Sequence, residues 1–382
     1  MGWKLFRRKK LRSPELGAQA ANSVGAESLP MQDTRAAIEE LSKVVKNDPE
    51  AVEIYLALGS LYRSQGEIER AIQIRNSLIV RPGLDSEFKA RAWFELGRDF
   101  RRGGFLDRAE HAFGQARELI GDTEEIHLEM ARLASERSSF QEAADAYARL
   151  DLPLPRAHYL VRHAQECYTA GDESHGHKAL KKAVKAFPGS VEAWLEMVIQ
   201  AYRRGSTAKV VSSLREGLEE VEPGIRFALL EGLYQDVVKA ERMREQRVGD
   251  DHDWAGSCPT KELVEAVIPL LEELEPDVLL YYYGARLLLK NRDVDQAMSW
   301  FEKTLVLYPD FWLARLELFD LSQSEQTITK FFRQQLKFFM DRAREVRRFY
   351  CGNCGLKRDT LFFICPRCRS WHSIKFRKDF SQ

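Results

Sequence analysis

No stretch of this 382-residue sequence approaches the roughly eighteen uninterrupted apolar residues that a membrane span requires. Residues 1–12 are basic, but no apolar region of a secretory signal follows them, and together these absences predict a cytoplasmic protein. Cysteine is scarce. Four of the six lie in one short stretch, and Cys167 and Cys258 stand far apart, which excludes a disulfide framework and suits a reducing compartment. The eight histidines are scattered, and there is no nucleophile elbow and no phosphate-binding loop. The expectation is a non-enzymatic protein. Net charge is also missing, with 58 Lys and Arg against 58 Asp and Glu, but the balance is uneven along the chain. Residues 1–12 hold six cations and no acid, and residues 342–378 hold eleven cations against Glu345 and Asp359.

What the chain does contain is a repeat. AVEIYLALGSLYRSQGEIERAIQIRNSLIVRPG and ARAWFELGRDFRRGGFLDRAEHAFGQARELIGD share one layout: Tyr55 or Trp93, then Leu-Gly at Leu58-Gly59 or Leu96-Gly97, Tyr62 or Phe100, Gly66 or Gly104, and Ala71 or Ala109. Close packing explains it, with a small residue where two helices touch and large residues filling the remaining space. From Gly97 the small position continues through Ala131, Ala164, Val198 and Gly232, and a later unit carries Tyr281, Ala285 and Leu288 followed by Ala297, Phe301 and Pro309. AAIEELSKVVKNDPE fits the second helix of an earlier unit whose first helix is degenerate or missing. This layout resembles the tetratricopeptide repeat, two antiparallel helices per unit. Its implied fold class is all-α, a tetratricopeptide-repeat superhelical solenoid over residues 31–341, preceded by a basic, flexible tail at 1–30 that has no membrane span. An insertion near 242–259 interrupts the solenoid, and insertions in such folds map to loops on one face. Its Asp250, Asp251, His252, Asp253 and Cys258 lack ligand spacing and read as a solvated loop.

Residues 342–382 are different in kind. Cys351 and Cys354, then Cys365 and Cys368, form two Cys-x-x-Cys pairs among the turn formers Gly352, Gly355 and Pro366. Two such knuckles bring four thiolates to one point, a tetrahedral sulfur site suited to one zinc ion, with iron as the alternative occupant. A cassette of about thirty residues cannot bury a sufficient core, so metal binding supplies much of its folding free energy. The strand formers of DTLFFI predict a hairpin bridging the knuckles.

Repeats followed by YCGNCG, CPRCRSW and HSIK in that order resemble the lipopolysaccharide assembly protein B family of Gram-negative bacteria, from about residue 33 to the end. The resemblance implies a rubredoxin-like zinc ribbon with Cys351, Cys354, Cys365 and Cys368 as its ligands. It also implies an adaptor that works with a membrane-bound AAA protease to regulate the enzyme committing lipid A synthesis, alongside other lipopolysaccharide assembly proteins. Family members usually begin with a membrane span. Here GWKLFRRKKLR offers basic residues with only Trp3, Leu5 and Phe6 among them, so residues 1–12 are expected at most to touch an anionic leaflet peripherally, on the inner face of the inner membrane.

Two faces of the helices invite partners. In a tetratricopeptide groove, positions one and four past the small residue line the concave wall, which places Arg63, Arg98, Arg101 and Arg132 there with Arg102 adjacent. They suit an acidic peptide, or else pair with neighbouring Glu and Asp. The same offsets later give Tyr168, Tyr202, Leu229, Leu233 and Tyr282, a more apolar wall. After the repeats, Phe331, Phe332, Leu336, Phe338 and Phe339 share one helix, and the cassette is expected to dock on it. The competing readings are a nucleic-acid binder using the basic ribbon and Trp371, and an iron-carrying redox protein; no flavin or nicotinamide motif supports the latter, and nucleic acid is not the expected partner.

Overall fold

A computed structural model describes residues 31–47, 51–246, 259–322 and 329–379. Among them are seventeen α-helices and one three-stranded sheet, arranged as two compact units that divide between Phe187 and Pro188. The predicted tail, the Asp250 to Asp253 cluster and Cys258 lie outside the described residues.

The first unit comprises α1 (Met31–Asn47), α2 (Val52–Ser64), α3 (Ile68–Ile79), α4 (Ser86–Arg102), α5 (Leu106–Ile120), α6 (Glu124–Glu136), α7 (Phe140–Arg149), α8 (Pro153–Thr169) and α9 (Glu173–Ala186). Three of these helices begin at a side-chain cap: Asp85 accepts from the Glu87 amide, Thr123 from Ile126 and Asp172 from His175. From α2 onward the helices pair as hairpins whose first members pack on one another. The small position does what the sequence predicts. A Cβ on Gly97 would lie 2.6 Å from the Phe113 ring, so α4 and α5 touch only because Gly97 has none. Ala131 and Ala164 hold the equivalent places in α6 and α8, fully buried.

The turn inside each hairpin needs a residue in the left-handed region. Gly66, Gly104, Gly171 and Gly205 supply it with φ of 83°, 79°, 79° and 69°, whereas Ser138 and Arg292 adopt it at 62° and 61° despite their side chains. A non-glycine residue there costs about 1–2 kcal/mol, partly offset by the roughly 0.5–1 kcal/mol of extra chain entropy that glycine loses on folding. Arg292→Gly is therefore expected to stabilise the second unit by roughly 0.5–1 kcal/mol, read as a higher urea midpoint at unchanged slope. An unchanged or lower midpoint would mean that the arginine makes a compensating contact.

The second unit continues with α10 (Val191–Arg203), α11 (Thr207–Glu220), a 3-10 turn (Pro223–Ile225), α12 (Phe227–Gln246), α13 (Thr260–Glu273), α14 (Val278–Lys290), α15 (Val294–Leu307), α16 (Trp312–Ser322) and α17 (Lys330–Arg344). Helices α10, α12 and α14 stack side by side, and α11 and α13 pack behind them. The predicted insertion separates α12 from α13. The chain ends in β1 (Phe349–Cys351), β2 (Lys357–Arg358) and β3 (Ile374–Phe376), an antiparallel sheet in the order β2-β1-β3 with Phe349 opposite both Phe376 and Arg358. The predicted DTLFFI hairpin does not form. Its residues run irregularly, Ile364 making a single bridge to Trp371, and the third strand comes from the basic segment after the second knuckle. DTLFFI has strand-forming residues but no alternation, and Ile374 to Phe376 has it, buried, exposed, buried.

Candidate metal centre and repeat faces

Each knuckle is built the same way. The amide after the second cysteine donates to the carbonyl of the first, Gly355 to Cys351 and Arg369 to Cys365, both at 2.9 Å. Both donors are left-handed, with φ of 70° at Gly355 and 59° at Arg369. The sequence marks the first turn with glycine; the second gives no signal. The result brings the four Sγ atoms within 4.8 Å of one another, with Cys351 to Cys368 at 3.7 Å and Cys354 to Cys365 at 3.6 Å. A sulfur tetrahedron around zinc with 2.3 Å bonds has edges of about 3.8 Å, so the arrangement fits a metal ion without rearrangement.

Hydroxyl groups surround the sulfurs. Ser370 Oγ lies 3.0 Å from Cys368 Sγ and 3.5 Å from Cys351 Sγ, Ser373 Oγ lies 3.2 Å from Cys351 Sγ, and Asn353 Nδ2 donates to Cys368 Sγ at 3.5 Å. Burial opposes ionisation of Cys351, but Ser373, Ser370 and the amides of Cys354 and Asn353 overcome it and bring the thiol down to about 6. Cys368 is lowered against its burial by Ser370 and Asn353. Cys354 goes the other way, pushed up to about 12 by burial and by its cysteine neighbours. Four crowded thiols thus resist carrying four charges by themselves, and a cation among them removes the conflict. Sequence reasoning misses Ser370, Ser373 and Asn353, although their place within or shortly after a Cys-x-x-Cys pair is the available signal.

The ribbon does not dock on the phenylalanine-rich helix. It packs against α12, α14 and the start of α16. The Phe376 ring lies 5.6 Å from Phe227, 5.7 Å from Phe349, 5.9 Å from Phe311, 6.3 Å from Tyr283 and 6.4 Å from Tyr282, centroid to centroid. Phe349 stacks on Phe227 at 5.9 Å. Polar contacts surround this aromatic cluster: Arg348 donates to Glu231 at 3.1 Å and His372 Nε2 lies 3.9 Å from Glu192. The predicted apolar wall is therefore not an open groove in this unit, since Tyr202, Leu229, Leu233 and Tyr282 are all buried. Phe331, Phe332, Phe338 and Phe339 stay exposed because α17 meets the body on its other side, through buried Met340 and through Arg344, paired with Asp320 at 2.7 Å. Trp371 is half-buried, and its backbone bridges to Ile364.

In the first unit the arginines predicted to line the groove do come together, as part of an ionic ladder. Arg63 binds Asp99 and Glu95, each at 2.7 Å; Arg98 binds Glu95 at 3.1 Å and Glu129 at 3.6 Å; Arg101 binds Glu129 at 3.0 Å and Glu136 at 2.6 Å; Arg132 binds Glu129 at 2.8 Å. The ladder ties α2, α4 and α6 to one another. Arg102 is exposed at its edge. Beneath it, and missed in the sequence, Arg75 of α3 is wholly buried, with Leu56 O at 2.7 Å, Ser60 Oγ at 3.0 Å and Asp99 at 3.5 Å. Its guanidinium occupies the space that a Cβ on Gly59 would take, 2.7 Å from Cζ. Cys167 is half-buried, not buried as its helix position suggests, and burial with Asp172 and Glu166 pushes its thiol up.

Known proteins match both parts of this architecture. A tetratricopeptide-repeat family model matches residues 31–81 and 94–155. Lipopolysaccharide assembly protein B of Escherichia coli (strain K12) is 24% identical over 386 residues, covering 98% of this chain and 94% of that protein. The Haemophilus influenzae protein of the same name is 24% identical over 352 residues, covering 85% and 78%. Among solved structures, a tetratricopeptide repeat protein from Parabacteroides merdae is 18% identical, covering 71% of this chain and 98% of that one, with a TM-score of 0.35. The chain folds as a tetratricopeptide-like array of helical hairpins with a four-cysteine cluster near its end, and it is similar to lipopolysaccharide assembly protein B over nearly its whole length. Among the described residues no helix is long and apolar enough to cross a membrane.

Proposed function

We propose that the protein is a non-enzymatic adaptor that binds proteins through its repeats, holds one zinc ion in its ribbon, and acts in regulating lipopolysaccharide synthesis by bringing a client to a membrane-bound AAA protease. The observation that carries this reading is the end-to-end similarity to lipopolysaccharide assembly protein B, repeats and cysteine ribbon together in one chain. The ligands are Cys351, Cys354, Cys365 and Cys368, and zinc is favoured over iron because no flavin or nicotinamide motif of an electron-transfer partner accompanies them.

The arginine face of the first unit is the surface offered to a client. Its guanidinium groups are held in register by Glu95, Glu129 and Glu136, so an acidic segment meets a pre-ordered row, and Arg102 is exposed beside it. Crosslinking of the tagged protein in its native host, followed by mass spectrometry, tests the proposal. The expected catch is a membrane AAA protease or a lipid A enzyme, reduced severalfold by Arg102→Glu, an exposed position outside the ladder, at unchanged melting temperature. Recovery of ribosomal or nucleic-acid proteins alone, lost after nuclease, would instead support the ribbon as a nucleic-acid binder. Exposed Arg358, Arg367, Arg369 and Lys375 are the feature that keeps that alternative in view.

A further inference from the structure

Helix α17 carries the largest exposed aromatic side chains of the described residues. Phe331, Phe332, Phe338 and Phe339 are 72%, 56%, 57% and 65% exposed. The pairs 331/338 and 332/339 are seven residues apart, so all four rings lie on one side of a helix of about 22 Å. Thr329 caps its start by accepting from the Phe332 amide, while Met340 and Arg344 fix its other side to the body. The stripe is therefore held outward. Thirteen of the larger apolar side chains are exposed in the described structure, and only here do four aromatic ones lie together.

Charge decides what can cover it. Between Lys330 and Arg344 the helix has Lys330, Arg333, Lys337, Arg342 and Arg344 against Asp341 alone. A second copy of α17 laid on the first would bring together two helices of the same positive net charge, and residues 1–12, with six Lys and Arg and no acid, also carry charge of the same sign as the helix. Exposed phenylalanine rings on a helix that also exposes Lys330, Arg333 and Lys337 suit the boundary between headgroups and acyl chains of an anionic bilayer, where the rings enter and cations beside them reach lipid phosphates. We infer that α17 is an interfacial membrane-binding helix that seats the second unit on an anionic lipid surface through Phe331, Phe332, Phe338 and Phe339.

The test is flotation of the full chain with phosphatidylcholine vesicles with and without phosphatidylglycerol. The wild type is expected to float with the anionic vesicles and to remain with the soluble fraction on phosphatidylcholine alone. Phe331→Asp with Phe338→Asp should reduce the bound fraction roughly tenfold or more, because it removes apolar area and adds like charge to the lipid. Both positions are exposed, and an unchanged melting curve shows that the fold survives. The conservative pair Phe331→Trp with Phe338→Trp should retain binding. The inference is overturned if the wild type does not float, if the aspartate pair floats equally well, or if only deletion of residues 1–12 abolishes flotation. It is also overturned if the wild type proves to be a dimer that the aspartate pair converts to a monomer, which would make the stripe a contact between copies.

Discussion

Removing the metal with a chelator, or replacing Cys354 and Cys368 by serine, unfolds the ribbon and strips hydrogen-exchange protection from α10, α12 and α14, while α2 to α9 keep theirs. The ribbon has three short strands of two or three residues and few buried side chains of its own, Phe349, Phe362, Ile374 and Phe376 among them. That is too little to hold about thirty residues in place, so the sulfur site must contribute most of its stability, and structural zinc contributes on the order of 10–16 kcal/mol in comparable small domains. This is comparable to the whole stability of a typical domain, about 5–15 kcal/mol.

The effect spreads because the ribbon is part of the second unit's core. Phe376 is in contact with rings from α12, α14 and the start of α16, and the buried carboxylates of Glu192 and Glu231 face His372 and Arg348 of the ribbon. Loss of the ribbon exposes Tyr282, Tyr283 and Phe227 to water, and leaves Glu231 without Arg348 and Glu192 without the His372 ring beside it. Phe376→Ala separates docking from metal binding: it should cost about 3–5 kcal/mol and weaken protection of α12 and α14 with the thiols still protected from alkylation. Unchanged protection of these helices after chelation would show that the repeats stand without the ribbon, and the docking contacts would be incidental.

What the sequence made legible here was local. Two Cys-x-x-Cys pairs define a metal site because ligand spacing and the knuckle turn are settled within a few residues, and Gly97 marks a helix contact because only glycine allows the Phe113 ring so close. What it hid was non-local. The ribbon's seat depends on pairs such as Arg348 and Glu231, 117 residues apart, and helical periodicity shows that a face is apolar without showing what covers it. Two apolar surfaces were available, α17 and the aromatic wall, and the ribbon takes the wall because its Phe349 stacks on Phe227 there and its Phe376 meets the rings of Phe227, Phe311, Tyr282 and Tyr283. Arg369 hid for a different reason. Its left-handed turn is imposed by the cysteines around it, and nothing in an arginine announces that. Arg75 likewise resembles any solvent-facing arginine of an amphipathic helix until Gly59 is seen to leave room for it.

That buried arginine sets the second large effect, in the first unit. Asp99→Ala is expected to destabilise residues 26–187 by about 3–5 kcal/mol, because Arg75, with no exposed surface, keeps its charge and loses a carboxylate at 3.5 Å, while Arg63 loses its partner at 2.7 Å. The directions of ionisation show how the site is balanced. Burial pushes the Asp99 carboxyl up in spite of Arg63 and Arg75, and burial pulls Arg75 down in spite of Asp99 and Glu95. Glu95, though burial disfavours its charge, is held below the usual carboxylate range by Arg63 and Arg98. For Asp99 and Arg75 the attraction does not fully offset desolvation. A folded carboxyl raised above its unfolded value takes up protons more readily than the unfolded chain, so Asp99 adds no stability as pH rises above its unfolded range and its share of stability is greater in acid. Replacing the pair together, Arg75→Met with Asp99→Leu, should therefore recover most of the loss and come within about 1–2 kcal/mol of the parent, since apolar residues of similar volume carry no desolvation penalty. Urea denaturation of the single and double variants measures the coupling directly. If the double variant is as unstable as Asp99→Ala alone, the buried charges are holding α2, α3 and α4 in register in a way that packing cannot replace, and the ladder of Arg63, Glu95, Arg98 and Glu129 above them would then be structural in full, leaving exposed Arg102 as the cation of this face to offer a client.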